Sequence, residues 1–100
     1  MMDCLFCKIV NGEIPSEKVF ENERIFAFKD INPAAPFHIL IVPKTHIDSA
    51  AKIDKSNSSV VAEIFEVAAA IVREKGYEES GYRIVTNIGQ DGGQAVKHLH

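Results

Sequence analysis

No stretch of this 100-residue chain is apolar for anything near the ~20 residues of a membrane-spanning helix, which argues against an integral helical membrane protein. Charge of one sign is never concentrated: 11 basic and 14 acidic residues give a formal net charge of −3 with no long run of either. That argues against a protein that grips a nucleic-acid polymer by its backbone, while leaving single nucleotides open as ligands. The opening Met1-Met2-Asp3-Cys4 lacks the basic and then apolar character of a secretory signal, so the expected location is cytoplasmic. Internal repeats, low-complexity tracts and linker-like composition are also missing. With 46% hydrophobic residues, the chain can build one core but not two, and residues 1–100 are expected to form a single domain.

Cysteine is scarce, yet its two occurrences, Cys4 and Cys7, are spaced C-x-x-C. A redox motif of that spacing normally follows a strand and opens a helix, and only three residues precede Cys4. Spacing alone leaves two readings. The pair is half of a zinc site completed by two of the four histidines (His38, His46, His98 and His100), or it is two reduced, partly buried thiols in a helical turn.

Leu5, Phe6, Ile9 and Val10 recur at helical spacing, and Asn11-Gly12 closes a short N-terminal helix. Lys18 to Phe20 and Arg24 to Lys29 read as a hairpin across Glu21-Asn22-Glu23, with Ile25, Ala27 and Lys29 on one face of the second strand. Pro33 and Pro36 make 30–36 a loop, and the apolar, β-branched run Phe37 to Val42 reads as a central strand ended by Pro43. That run places His38 on a face with Leu40 and Val42. His46 is expected to open a short helical stretch. From about Ser58 to Lys75, Val61, Ile64, Phe65, Ala68, Ile71 and Val72 repeat every three or four residues, giving one long helix stopped at Gly76. Tyr82 to Asn87 and Ala95 to His100 read as two further strands. The sum is an α+β fold: about five mostly antiparallel strands with one long helix and one or two short ones.

The loop between those last two segments, Ile88-Gly89-Gln90-Asp91-Gly92-Gly93-Gln94, holds three glycines within five residues. Such a loop can turn successive backbone N–H groups toward an anion, although glycine-rich turns are common without one. His98-Leu99-His100 follows at once, and period-2 alternation would put both imidazoles on one face. A neutral imidazole with a free nitrogen is a competent nucleophile toward phosphorus, so the combination points to nucleotide chemistry.

The block Asp30-Ile31-Asn32-Pro33-Ala34-Ala35-Pro36-Phe37-His38 through Pro43-Lys44-Thr45-His46, followed by Asn87-Ile88-Gly89-Gln90-Asp91-Gly92-Gly93-Gln94-Ala95-Val96-Lys97-His98-Leu99-His100, resembles the histidine-triad (HIT) family. Order and spacing are most similar to its Hint branch of purine nucleoside phosphoramidate hydrolases. The likeness runs from Cys4-Leu5-Phe6-Cys7 onward. It implies that His98 is the first histidine of the triad, that His100 is the middle one and carries a covalent nucleotidyl intermediate, and that His38 is the fourth histidine near the triad. It also implies that Asp30 grips the ribose hydroxyls and that Ile31, Phe6 and Phe28 wall the purine. Asn87, Gly93 and Gln94 correspond to contacts with the phosphate and the leaving group. Cys4, Cys7, His46 and His98 correspond to a structural zinc set, with no cofactor taking part in the chemistry. The family further implies a homodimer.

Two departures from the family pattern stand out. The third triad histidine would fall two residues beyond His100, so a further C-terminal segment is expected there. At Ala95 the family commonly offers a Ser or Thr hydroxyl, and loss of one positioned donor can cost on the order of 10²-fold in rate. The expectation is therefore hydrolysis of the P–N bond of purine nucleoside 5′-phosphoramidates. The alternatives are a dinucleoside polyphosphate hydrolase of the same family and a catalytically weak nucleotide-binding regulatory protein.

Overall fold

A computed structural model describes residues 4–100. Helix α1 (Leu5–Val10) is followed by strands β1 (Lys18–Glu21), β2 (Ile25–Lys29) and β3 (Ile39–Pro43), a 3₁₀ turn at Ala50–Lys52 and helix α2 (Ser59–Lys75). The three strands form one antiparallel sheet in the order β1-β2-β3. Its register pairs Lys18 with Phe28 and Phe28 with Leu40, and a one-residue irregularity lies between Lys18 and Phe20.

Four consecutive residues of β2, Ile25 to Phe28, are buried, so both faces of the sheet are covered. On one face Phe26 and Phe28 join Phe6 and Ile9 of α1 with Val42 of β3. On the other, Ile25 and Ala27 meet Val67 and Ile71 of α2. Alternation along β2 thus sends two aromatic rings to one helix and two small or branched side chains to the other. Full burial of Ile25 alone is worth about 1.5–3 kcal/mol of transfer free energy. Helix α1 is short and starts on Cys4, whose thiol accepts the Cys7 N–H. Helix α2 stops at Gly76, which takes the left-handed conformation (φ 85°) that a side chain would strain.

The sheet has three strands among the described residues, not five. Neither 82–87 nor 95–100 is a strand: a strand exists only with a partner ladder, and residues 81–91 run exposed. Residues 95–100 bend instead, because the His98 N–H turns back to the Val96 carbonyl (2.8 Å) while the Leu99 N–H bonds the Ile47 carbonyl (2.6 Å). The middle strand is β2, whereas β3 lies at the sheet edge and so tolerates Pro43 within it. His46 lies in irregular backbone ahead of the 3₁₀ turn rather than opening a helix. No helix among the described residues is long and apolar enough to cross a membrane.

Candidate metal centre and active site

The N-terminus of α1, the segment after β3 and the last residues of the chain meet at one point. Their donor atoms, from Cys4, Cys7, His46 and His98, all lie within 4.8 Å of one another. Cys4 Sγ is 3.2 Å from His98 Nδ1, and Cys7 Sγ is 3.4 Å from His46 Nδ1 and 3.6 Å from His98 Nδ1. The two Nδ1 atoms are 3.1 Å apart. Four tetrahedral ligands around a zinc-sized ion, at ~2.3 Å for sulfur and ~2.0–2.1 Å for nitrogen, would sit about 3.3–3.8 Å from each other.

The tautomers sharpen this fit. His98 Nε2–H donates to the Pro43 carbonyl (2.9 Å), which can only accept, and His46 Nε2–H donates to the Asp48 carboxylate (2.7 Å). In the neutral tautomers this sets, each ring turns its Nδ1 lone pair into the cluster, where it accepts a thiol S–H from Cys4 or Cys7 or is available to a shared cation. His98 is completely buried, and burial, reinforced by the neighbouring His46 and His100, holds it below the ordinary imidazole range against the pull of the Pro43 carbonyl. Burial, and then the adjacent Cys4, push the Cys7 thiol up to about 11. A cation reverses that preference by stabilising the thiolate. The His46 ring beside it, with Lys97 and Lys52 further off, keeps the Asp48 carboxyl below the usual carboxylate range.

His100 stands next to this cluster. Its Nδ1–H donates to the His98 carbonyl (2.7 Å), which leaves Nε2 with a free lone pair. The Thr86 hydroxyl donates to the His100 carbonyl (2.8 Å). Phe6 presents an edge-on ring to both histidines, with centroids 5.9 Å from His98 and 5.0 Å from His100, and packs on Phe28 at 5.5 Å. Both imidazoles thus pack against one aromatic ring, held there by the bent backbone of 95–100 rather than by the strand alternation the sequence suggested.

The glycine loop is tightly turned. A Cβ on Gly92 would run into the Ile88 carbonyl, so only glycine fits there. The Gly93 and Gln94 N–H groups donate to the carbonyls of Gln90 and Gly89 (3.0 Å each). They are spent inside the loop rather than aimed at an anion. The Ala95 and Val96 N–H groups, by contrast, have no acceptor among the described residues. An open hollow beside them is lined by Gly89, Gln90, Gly93, Gln94, Ala95 and Lys97.

Asp30 and His38 form a separate clasp. The Ala34 N–H donates to His38 Nδ1 (2.9 Å), which places the ring proton on Nε2, 3.4 Å from the second Asp30 carboxylate oxygen. The first Asp30 oxygen accepts the Asn32 N–H (2.9 Å), and the Asp30 N–H bonds the His38 carbonyl (3.1 Å). Phe6 and Phe28 are in contact, whereas Ile31 is 89% exposed and Asn87 is also exposed. Sequence reasoning missed Asp48, Pro43 and Thr86. Asp48 could have been suspected from its place two residues after His46, whereas a backbone carbonyl such as that of Pro43 leaves no mark in a sequence.

A family model described as "Scavenger mRNA decapping enzyme C-term binding" matches residues 3–100. The chain is similar to a purine nucleoside phosphoramidase of Escherichia coli, at 38% identity over 98 residues, covering 98% of this chain and 82% of that protein. It is 42% identical over 98 residues to a 14 kDa zinc-binding protein of Zea mays, covering 96% of this chain and 76% of the relative. Among solved structures, a HIT family hydrolase from Clostridium thermocellum superimposes with a TM-score of 0.97 at 46% identity, covering all of this chain and 87% of the other. This near end-to-end agreement in sequence and in backbone establishes that the chain belongs to the histidine-triad (HIT) family.

Proposed function

We propose that the protein hydrolyses the P–N bond of purine nucleoside 5′-phosphoramidates through a nucleotidyl group carried on His100. The observation that bears this reading is the hydrogen bond from His100 Nδ1–H to the His98 carbonyl, which in the neutral ring assigns the proton to Nδ1 and directs Nε2 to attack. Nε2 forms a bond to phosphorus, the P–N bond to the amine breaks, and the amine departs with a proton taken from solvent, which the attacking water of the second step returns. Water then attacks the same phosphorus, releasing the nucleoside monophosphate and restoring the imidazole. Two lower barriers replace one high one. The Ala95 and Val96 N–H groups are the donors on hand for the phosphate, and the Asp30 carboxylate, already held in one orientation, accepts from the ribose hydroxyls. Phe6 and Phe28 offer an apolar surface to the base, with Ile31 on the loop that would cover it.

Cys4, Cys7, His46 and His98 would hold zinc, which when bound supplies structural cross-linking: four protein ligands leave no open position for substrate or water. The zinc-binding relative from Zea mays supports this choice of ion. A homodimer is part of the same reading, supported by the exposed apolar side chains Phe65, Tyr82, Ile84, Val85 and Ile88. Ala95 favours a second reading, a nucleotide-binding protein with weak turnover, because no hydroxyl stands at that position. Mass spectrometry after quenching with a slowly turned-over adenosine phosphoramidate separates them. An adduct on wild type, absent in a His100→Gly protein that still binds AMP, is the expected result; an adduct that survives the substitution refutes the assignment of the nucleophile.

A further inference from the structure

The Gln94 carboxamide makes three hydrogen bonds, all inside the protein. Its Oε1 accepts the Gly89 N–H (2.8 Å), and its Nε2 donates to the Asp48 carbonyl (2.6 Å) and to the Val96 carbonyl (3.0 Å). The two carbonyls have a common property: Asp48 lies two residues after His46, and Val96 lies two residues before His98. Each is also tied to its histidine directly. The Asp48 carboxylate holds His46 Nε2–H, and the Val96 carbonyl accepts the His98 backbone N–H. One –NH₂ group therefore spans the two segments that deliver the imidazoles of the metal centre, while the other end of the same side chain holds the start of the glycine loop.

We propose that Gln94 is a positioning residue that couples occupancy of the metal centre to the order of the Gly89–Gln94 loop. This rests on the reading of Cys4, Cys7, His46 and His98 as a metal site. With a cation between the two Nδ1 atoms, His46 and His98 are fixed relative to each other, and the Asp48 and Val96 carbonyls stay at the separation that Nε2 bridges. Without it, only the weak S–H contacts from Cys4 and Cys7 at 3.2 and 3.4 Å hold the two Nδ1 atoms at their 3.1 Å separation. The segments separate, Nε2 keeps one acceptor at most, and Oε1 loses its hold on Gly89. The Gly93 and Gln94 N–H groups, whose bonds close the loop, then open more often, and the hollow beside Ala95 loses its shape.

Amide hydrogen exchange at Gly89, Gly93 and Gln94 tests the coupling, measured on zinc-loaded and chelator-stripped protein with metal content followed by elemental analysis. The variant is Gln94→Glu, which keeps an acceptor for Gly89 and loses both donors. In wild type, stripping the metal speeds exchange at these amides about 10-fold, the equivalent of one hydrogen bond. In Gln94→Glu the loaded protein already exchanges at that faster rate, and stripping adds less than about 2-fold. Loop exchange in wild type that ignores a demonstrated loss of metal overturns the coupling, and so does a Gln94→Glu protein that responds as wild type does. Should Gln94→Glu fail to fold, the wild-type comparison decides alone. Protein that takes up no zinc on reconstitution removes the metal reading, and the coupling with it, and elemental analysis distinguishes that result from the others.

Discussion

The Phe6 ring packs against both histidines of the His98-Leu99-His100 pair and the core behind them, so its replacement separates packing from orientation. The ring is 4% exposed and packs edge-on to Phe28, His98 and His100. Phe6→Leu nearly conserves volume, which costs up to about 1.5 kcal/mol, and forfeits the Phe–Phe edge contact, worth about 0.5–1.5 kcal/mol. The sum centres on about 2 kcal/mol. For a domain of this size each 1 kcal/mol moves Tm by about 4–8 °C, so Tm should fall by about 8–16 °C. Phe6→Ala, which also leaves a cavity, should cost about 3–5 kcal/mol, a large share of the ~5–15 kcal/mol that a domain has in total. Thermal and urea unfolding measure this. Rapid-quench kinetics on Phe6→Leu, at a temperature where it is folded, should show adduct formation on His100 slowing more than AMP binding weakens, because the leucine fills space without fixing the imidazole plane. A Phe6→Leu protein with Tm within about 2 °C of wild type and an unchanged adduct rate would refute both the packing magnitude and the orienting role.

Purified or reconstituted protein should hold about one zinc per chain, with two sulfur and two nitrogen neighbours by X-ray absorption, and Cys4→Ser should lower both metal content and Tm; freely titratable thiols with no metal uptake would contradict this. Asp30→Ala should weaken AMP binding while leaving the 2′,3′-dideoxy analogue nearly unaffected, and calorimetry showing equal losses for both would remove the ribose assignment. His38→Gln, which retains a donor toward Asp30, should preserve that discrimination better than His38→Ala, since the ring spends one nitrogen on Ala34 and faces Asp30 with the other. In a chain extended beyond His100 through the rest of the triad, Ala95→Ser should raise the single-turnover rate by less than the ~2.7–4 kcal/mol that one oxyanion donor supplies elsewhere; unchanged rate and unchanged affinity would show that position 95 faces away from the reacting phosphate.

The elements legible in the sequence were those whose pattern is satisfied locally or by near neighbours. Helix α1, the β1–β2 hairpin and α2 declare themselves by period and by Asn11-Gly12 and Gly76 at their ends. The failure at 82–87 and 95–100 has a different origin. Alternation reports which side chains could share a face, and it says nothing about whether a ladder partner is there or whether the backbone is claimed by other carbonyls, as Leu99 is by Ile47. At the site, C-x-x-C spacing left open whether Cys4 and Cys7 bind metal. The choice of His46 and His98 came from family resemblance, and the geometry then brought those four donors together. The apolar run places His38 on a strand face with Leu40 and Val42, but His38 precedes β3 and clasps a loop, a role set by the Ala34 N–H, which no side-chain pattern announces.

The contact between Cys4 and His98 joins residues 94 positions apart. Closing a loop of that length costs roughly 4–5 kcal/mol of chain entropy, and because the contact is not covalent, unlike a disulfide, that cost is met on folding rather than removed from the unfolded chain. A linkage so remote in sequence forms late, after the hairpin and α2 have reduced the distance to be searched. During synthesis the two thiols therefore leave the ribosome long before their imidazole partner at position 98, and through that interval they stay unprotected against oxidants and stray metal ions. Newly made chains starved of zinc should accumulate with the sheet and α2 in place and residues 4–7 not yet joined to His98, a species open to proteolysis at both of those segments.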